Sequence, residues 1–222
     1  TTAHVKADGS IEIWSPTQNP NAGIALVAAA TGVDRSKITV RMIRCGGGFG
    51  RRLSGDFMVE AAAISKQAGN IPVKLLWNRT DDMQHNPYRP AGYHNFKASI
   101  QDGKLTGLTN HFVSFGRDGK VLGNATSPPD SFPAGFIPNH QFDQSLIPAG
   151  MPTGPMRAPV SNAVCFAYQS FVDECAITAG KDPLQFRLDL LAGGPAAARG
   201  MNPKRMADVV RIAGERSGWA NR

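Results

Sequence analysis

The stretch "RMIRCGGGFGRR", Arg41 to Arg52, places four glycines in five positions, with Phe49 as the one bulky residue among them and arginines on both sides. In front of it, "KITVRMIR" (Lys37 to Arg44) alternates and is β-branched, which predicts a strand. Behind it, "GDFMVEAAAISKQAG" puts Phe57, Ala61, Ile64 and Ala68 on one helical face, and Gly69-Asn70 stops the helix. The glycines therefore join a strand to a helix. Glycine either supplies backbone angles closed to other residues or clears space for something to lie on the main chain. A phosphate loop of the Gly-x-x-x-x-Gly-Lys-Ser/Thr type is excluded, because the Lys-Ser/Thr ending is missing. A Gly-x-Gly-x-x-Gly dinucleotide fingerprint fails too, since Gly48-Phe-Gly-Arg-Arg-Leu53 lacks its third glycine. Two readings stay open: a nest of backbone N–H groups at a helix N-terminus, or a tight turn without a ligand.

Working outward, "SIEIWSP" (Ser10 to Pro16) reads as a short strand, and Asn19-Pro20 opens a helix that ends near Gly32. "IPVKLLWNR" reads as a third strand, which completes a β-α-β-α-β unit. "TDDMQHNPYRPAGYH" reads as a loop. In the segment after it, Asp102-Gly103 marks a hairpin, and "DGK" at Asp118 to Lys120 marks another turn. Gly123 to Pro159 is rich in Pro, Gly and Ser and reads as a long irregular stretch. The last third is helical. "SNAVCFAYQSFVDECAITAG" carries Val164, Ala167, Phe171, Cys175 and Thr178 at helical spacing, and Asp182-Pro183 and Asn202-Pro203 open two further helices. The predicted fold is one α+β domain over residues 1–222.

Composition narrows the function classes. At 41% hydrophobic the chain can bury one substantial core or two small ones, yet no run of about 18 apolar residues exists to form a membrane-spanning helix. The net charge of +7 comes from Lys and Arg spread along the chain rather than massed, which argues against nucleic acid and for a local anion site. Cys45, Cys165 and Cys175 form no CxxC pair; Cys165 and Cys175 share an apolar helical pattern and read as buried. The five histidines show no metal-ligand spacing. The start lacks Met and a leader, and reads as a processed end, an expression boundary or a cut through a longer protein.

"SPTQNP", "RCGGGFGRR", "HNPYRPAGYH", "PTGPMRAP" and "FVDECAITAGKDPLQFRLDLL" follow one another as they do in the molybdenum-binding subunits of the xanthine oxidase family. The sequence most resembles their isoquinoline 1-oxidoreductase beta-subunit branch, marked by Gly-Phe-Gly-Arg-Arg and a later Tyr-Arg-Pro, over about Ile11 to Trp219. The resemblance implies a molybdenum–molybdopterin cofactor, in the cytosine dinucleotide form usual in bacterial relatives, with the metal held by the pterin rather than by side chains. It implies that Gln18 lies beside an oxygen ligand of the metal, with its amide as donor. Gly46, Gly47, Gly48 and Gly50 match the family's glycine loop, and the resemblance implies that the main-chain N–H of Phe49 faces the metal's apical oxygen. Arg157 matches an arginine whose segment contacts the cofactor.

Two departures qualify the resemblance. Purine-oxidising members carry a Glu where this chain has Leu53, which points to an aldehyde or an N-heteroaromatic substrate. The family's Glu base, in a Gly-x-Gly-Glu segment, has no match here. Glu215 sits on a helical pattern and lacks those glycines, and Glu60 and Glu174 are also helical, each with a solvent-facing reading. The chain is thus read as an internal piece of a longer subunit, inactive alone. Its implied partners are the remainder of that subunit, a small 2Fe-2S subunit and a small-molecule substrate. The implied reaction oxidises carbon with water as the oxygen source. The alternative is a non-catalytic binding module that keeps the fold.

Overall fold

The computed structural model describes residues 1–194 and 201–221, and the chain divides into two compact units. The first comprises Thr1–Arg89 with Met151–Pro159; the second comprises Pro90–Gly150 with Val160–Arg222.

The first unit is built on a four-stranded sheet in the order β3-β2-β1-β4. Strand β1 (Thr2–Val5) pairs antiparallel with β2 (Ile11–Ser15) and with β4 (Val73–Lys74), and β2 pairs parallel with β3 (Ile38–Met42). The parallel pair requires a crossover, which is helix α1 (Pro20–Thr31). Its ends match the sequence reading. The Asn19 side chain accepts from the Ala22 N–H, Pro20 occupies the first turn, and Gly32 closes the helix at φ +74°. Helix α2 (Asp56–Gln67) lies beside α1 at a close approach, where a Cβ on Gly55 would stand 2.7 Å from Gly23 Cα. Alternate residues Ala3, Val5, Ile11 and Ile13 of the sheet meet Val27, Phe57, Met58, Ala61 and Ala62 to form the core. Burial of each large side chain there contributes about 1.5–3 kcal/mol. Buried Ser65 is satisfied on both sides, accepting the Val5 N–H at 3.0 Å and donating to the Ile71 carbonyl at 2.6 Å.

The second unit carries a long hairpin of β5 (Tyr93–Gln101) and β6 (Lys104–Arg117), turned by Asp102 and Gly103 at φ +50° and +68°. Those two positive angles are what this tight turn demands. Asp118 and Gly119 repeat the device into the short β7 (Lys120–Val121). Strand β8 (Asn139–Pro148) runs parallel to β6, and helix α4 (Ser161–Thr178) packs on this sheet through Val164, Tyr168, Val172 and Cys175. Helices α5 (Pro183–Gly193) and α6 (Pro203–Ser217) follow, capped by Asp182 and Asn202 as the sequence indicated.

The mixed helix-and-strand fold stands, with several local corrections. Strand β1 was not anticipated. The third strand shrinks to Val73–Lys74, and the segment read as a loop contains helix α3 (Arg79–His85), with Asn78 and Asp81 as a capping box. The stretch read as irregular holds β8, whose residues carry no clean apolar alternation because most are half-buried or exposed. On α2 the buried face is Phe57, Met58, Ala61, Ala62 and Ser65, so Ile64 and Ala68 face outward. Thr178 and Cys165 are also exposed, and only Cys175 of that pair is buried.

Under α4, the His94 ring stacks on Phe112 at 4.3 Å and Phe96 at 5.4 Å, and its Nδ1 meets Asn110 Oδ1 at 3.2 Å. Asn110 in turn donates to the Tyr168 hydroxyl at 2.9 Å. Burial pushes the His94 imidazole below the ordinary His range, against the opposing effect of the Asn110 bond. The unfolded chain therefore takes up its proton first as pH falls through about 6.5, and stability present above that pH is lost below it. Chemical denaturation at about pH 7.5 and pH 5.5 is expected to show a larger loss for the native protein than for His94→Gln; equal losses would contradict this origin.

Candidate functional site

After β3 the backbone leaves the sheet at Ile43, whose N–H still donates to the Ser15 carbonyl at 3.2 Å. From Arg44 to Phe49 the chain is exposed or half-buried. Phe49 holds φ +48°, an unusual angle for a bulky residue, and Gly50 follows at φ +95°. The Phe49 ring is 75% exposed and folds back over Gly47, where a Cβ would meet it at 2.9 Å. One difference from the sequence reading follows. The glycine loop runs into a 3-10 turn, Arg51–Leu53, and α2 begins only at Asp56, so the loop is not itself the N-terminus of a helix.

Two further segments close on this loop. The Gln18 N–H donates to the Arg52 carbonyl at 2.9 Å, and the Thr17 hydroxyl reaches the same oxygen at 3.4 Å. That anchor lays the Gln18 side chain across Gly48: a Cβ there would stand 2.3 Å from Gln18 Oε1. On the other side, the Arg157 N–H donates to the Phe49 carbonyl at 2.6 Å. Pro155 and Met156 cross Gly50 so closely that a Cβ on Gly50 would sit 2.4 Å from the Pro155 carbonyl oxygen and 2.6 Å from Met156 N and Cα. Gln18, Gly48, Phe49 and the Arg157 backbone, 139 positions apart at the extremes (157 − 18), thus meet in one place.

The chemistry of this cluster is that of donors. Among the described residues no acceptor takes the N–H groups of Gly46, Gly47, Gly48 or Phe49, and no hydrogen bond engages the Gln18 side-chain amide. The Arg157 side chain is exposed, and among the described residues its guanidinium has no ion pair. The neighbouring cations are instead used in the fold. Arg51 forms a two-pronged bond to Asp56 at 2.7 and 2.8 Å and lies over the Phe57 and Trp77 rings, Arg52 lies over Phe57, and Arg41 pairs with Glu12. Cys45 is exposed and its thiol turns to the Gly47 carbonyl. Among the described residues no three His, Cys, Asp or Glu side chains gather in a metal-binding group.

The carboxylates divide differently from the sequence reading. Glu174 is exposed, and Glu215 pairs with Arg211 at 3.0 Å on α6. Glu60, read as solvent-facing, has its Oε2 buried without a partner, and burial raises its carboxyl above the ordinary Glu range, assisted by Asp56. Its interacting groups are Trp77, Asp56, Arg51 and His85; none of Gln18, Phe49 or Arg157 is among them.

The molybdopterin cofactor-binding domain family matches residues 1–190. The chain belongs to that family. It is 31% identical to isoquinoline 1-oxidoreductase subunit beta of Brevundimonas diminuta over 227 residues, 97% of this chain and 28% of that protein. It is also 31% identical to the membrane-bound aldehyde dehydrogenase [pyrroloquinoline-quinone] of Gluconacetobacter polyoxogenes, over 96% of this chain and 30% of that one. The chain therefore spans less than a third of these relatives. Its fold resembles the aldehyde oxidoreductase of Desulfovibrio gigas, with a TM-score of 0.72, 18% identity, and coverage of 95% of this chain and 24% of that structure.

A molybdopterin-binding domain must meet an anionic, oxygen-rich group, and a cluster of N–H donors that have no acceptor among the described residues fits one. The glycines are required for different reasons, which stability measurements separate. At Gly50→Ala the new Cβ meets backbone at an angle closed to side chains, so a loss of about 2–4 kcal/mol is expected. At Gly48→Ala it meets only the end of a flexible side chain, so thermal unfolding is expected to move by less than about 1 kcal/mol while Gln18 is displaced. Equal losses would contradict the crossing at Gly50.

Proposed function

We propose that Gln18, the loop Gly46, Gly47, Gly48, Phe49, Gly50, and Arg157 hold the metal end of a molybdenum–molybdopterin cofactor, in cytosine dinucleotide form. In this reading residues 1–222 serve as one cofactor-binding domain of a longer hydroxylase subunit. The observation that carries it is the Gln18 amide laid over Gly48, beside N–H groups with no other acceptor, in a chain of the molybdopterin cofactor-binding family. The complete enzyme oxidises an aldehyde or N-heteroaromatic carbon with water as the oxygen source. When bound, the cofactor supplies the centre that accepts the two electrons leaving the substrate.

The roles of this chain's own groups follow from their chemistry. The Gln18 amide N–H₂ donates toward an oxygen at the reacting centre, and the Phe49 N–H donates from the main chain, so its contribution survives a change of side chain. Held in place before reaction, such donors stabilise charge as it develops without reorganising. Arg157 brings a positive charge on the segment whose backbone is bonded to Phe49. Leu53, in the 3-10 turn after the loop, provides an apolar side chain where purine-oxidising relatives have a carboxylate. The pyrroloquinoline quinone in one relative's name is a property of that protein. The proton acceptor belongs to the remainder of the subunit, and electrons leave to a 2Fe-2S partner, because Cys45, Cys165 and Cys175 form no cluster.

In the complete enzyme, Gln18→Ala is expected to lower kcat about a hundredfold with pterin content unchanged, and Phe49→Ala, which keeps its N–H, to cost far less. Unchanged kcat in Gln18→Ala would contradict the placement of the amide at the reacting centre.

A further inference from the structure

We infer that Arg89 is the positioning residue that holds the Arg157 segment against the glycine loop, and through it sets the donors of the site. This inference rests on the proposed function for its consequence, though not for its geometry. Nη2 of Arg89 donates to two carbonyls 67 and 68 positions away, Met156 O at 2.5 Å and Arg157 O at 2.7 Å. The Met156 carbonyl belongs to the same peptide group as the Arg157 N–H, which donates to the Phe49 carbonyl at 2.6 Å. The peptide is therefore gripped at both ends. A guanidinium polarises its oxygen, and its N–H, made a better donor by that charge, holds the loop at Phe49.

Local structure aims Arg89 at this task. Tyr88 forms a parallel bridge with Thr153, accepting the Gly154 N–H at 3.1 Å and donating its own N–H to the Pro152 carbonyl at 2.9 Å. Gly154 lets the two segments touch, since a Cβ there would stand 2.7 Å from Pro87 Cβ. Pro87 and Pro90 on either side hold the backbone extended. The chain Arg89, Met156–Arg157, Phe49–Gly50, Gly48, Gln18 is then continuous. The strained angles of Phe49 (φ +48°) and Ala158 (φ +55°) sit at either side of the crossing it maintains. A carboxamide at position 89 donates without charge and from a shorter side chain, and a lysine keeps the charge without the planar fork.

The test is amide hydrogen exchange on the full-length subunit in its assembled enzyme, comparing the native protein with Arg89→Gln and Arg89→Lys. Arg89→Gln is expected to speed exchange in 151–159 and in the glycine loop about tenfold, leave α2 (Asp56–Gln67) unchanged, and lower the pterin retained per subunit; Arg89→Lys is expected to fall between. Unchanged exchange in 151–159, or an equal rise across α2, would overturn the inference. If Arg89→Gln does not fold, the Arg89→Lys comparison decides by the same criterion. A native enzyme that holds no pterin would overturn the proposed function instead, and the exchange pattern would still decide the role of Arg89.

Discussion

The crossing of Pro155–Met156 over Gly50, tied by the bond from the Arg157 N–H to the Phe49 carbonyl, is the constraint on which the site depends. It permits only glycine at position 50 and bends Phe49 into the left-handed region. Beside it, the N–H groups of Gly46, Gly47, Gly48 and Phe49 have no acceptor among the described residues. A segment more than a hundred residues downstream in sequence thereby becomes part of the same unit as the first strands. Without that tie, the exposed loop would lose more conformational freedom on binding a ligand, and binding would be weaker by that amount.

Around this constraint the fold separates two uses of positive charge. Arg41, Arg51 and Arg52 are consumed locally by carboxylates and aromatic rings, which fixes the base of the loop. Arg89 donates to backbone carbonyls, and the Arg157 guanidinium has no ion pair among the described residues. The basic net charge alone says little about this division, because paired and unpaired arginines count the same in it. The second unit has a core that includes Leu105, Leu108, Tyr168, Val172 and Phe186, with a polar chain running from half-buried His94 through Asn110 to Tyr168.

Much of the scaffold was legible in the sequence because its signals are local. Asn19-Pro20, Asp182-Pro183, Asn202-Pro203 and the two Asp-Gly turns each carry their own geometry, and each sits where it was read. The failures have a common cause, the absence of a local signal. Strand β8 is held by β6 rather than by an alternating pattern, and β4 is reduced to Val73–Lys74 because only those residues find a partner on β1. Ile64 carries an apolar side chain on the outer face of α2, yet it stands three residues from Ala61 and seven from Phe57, at the spacing expected of the core face. At the site, the glycine loop announced itself by composition, and Gln18 and Arg157 entered through family resemblance. Arg89 was hidden, since an arginine between two prolines gives no sign of the carbonyls it will meet.

The most direct measurement is native mass spectrometry of the protein purified gently from its source, together with molybdenum and released-nucleotide analysis. Molybdenum and a pterin cytosine dinucleotide, found with a chain that extends beyond these 222 residues, is the expected result. Protein that carries neither metal nor pterin would contradict the assignment of the glycine loop, Gln18 and Arg157 to a molybdopterin site.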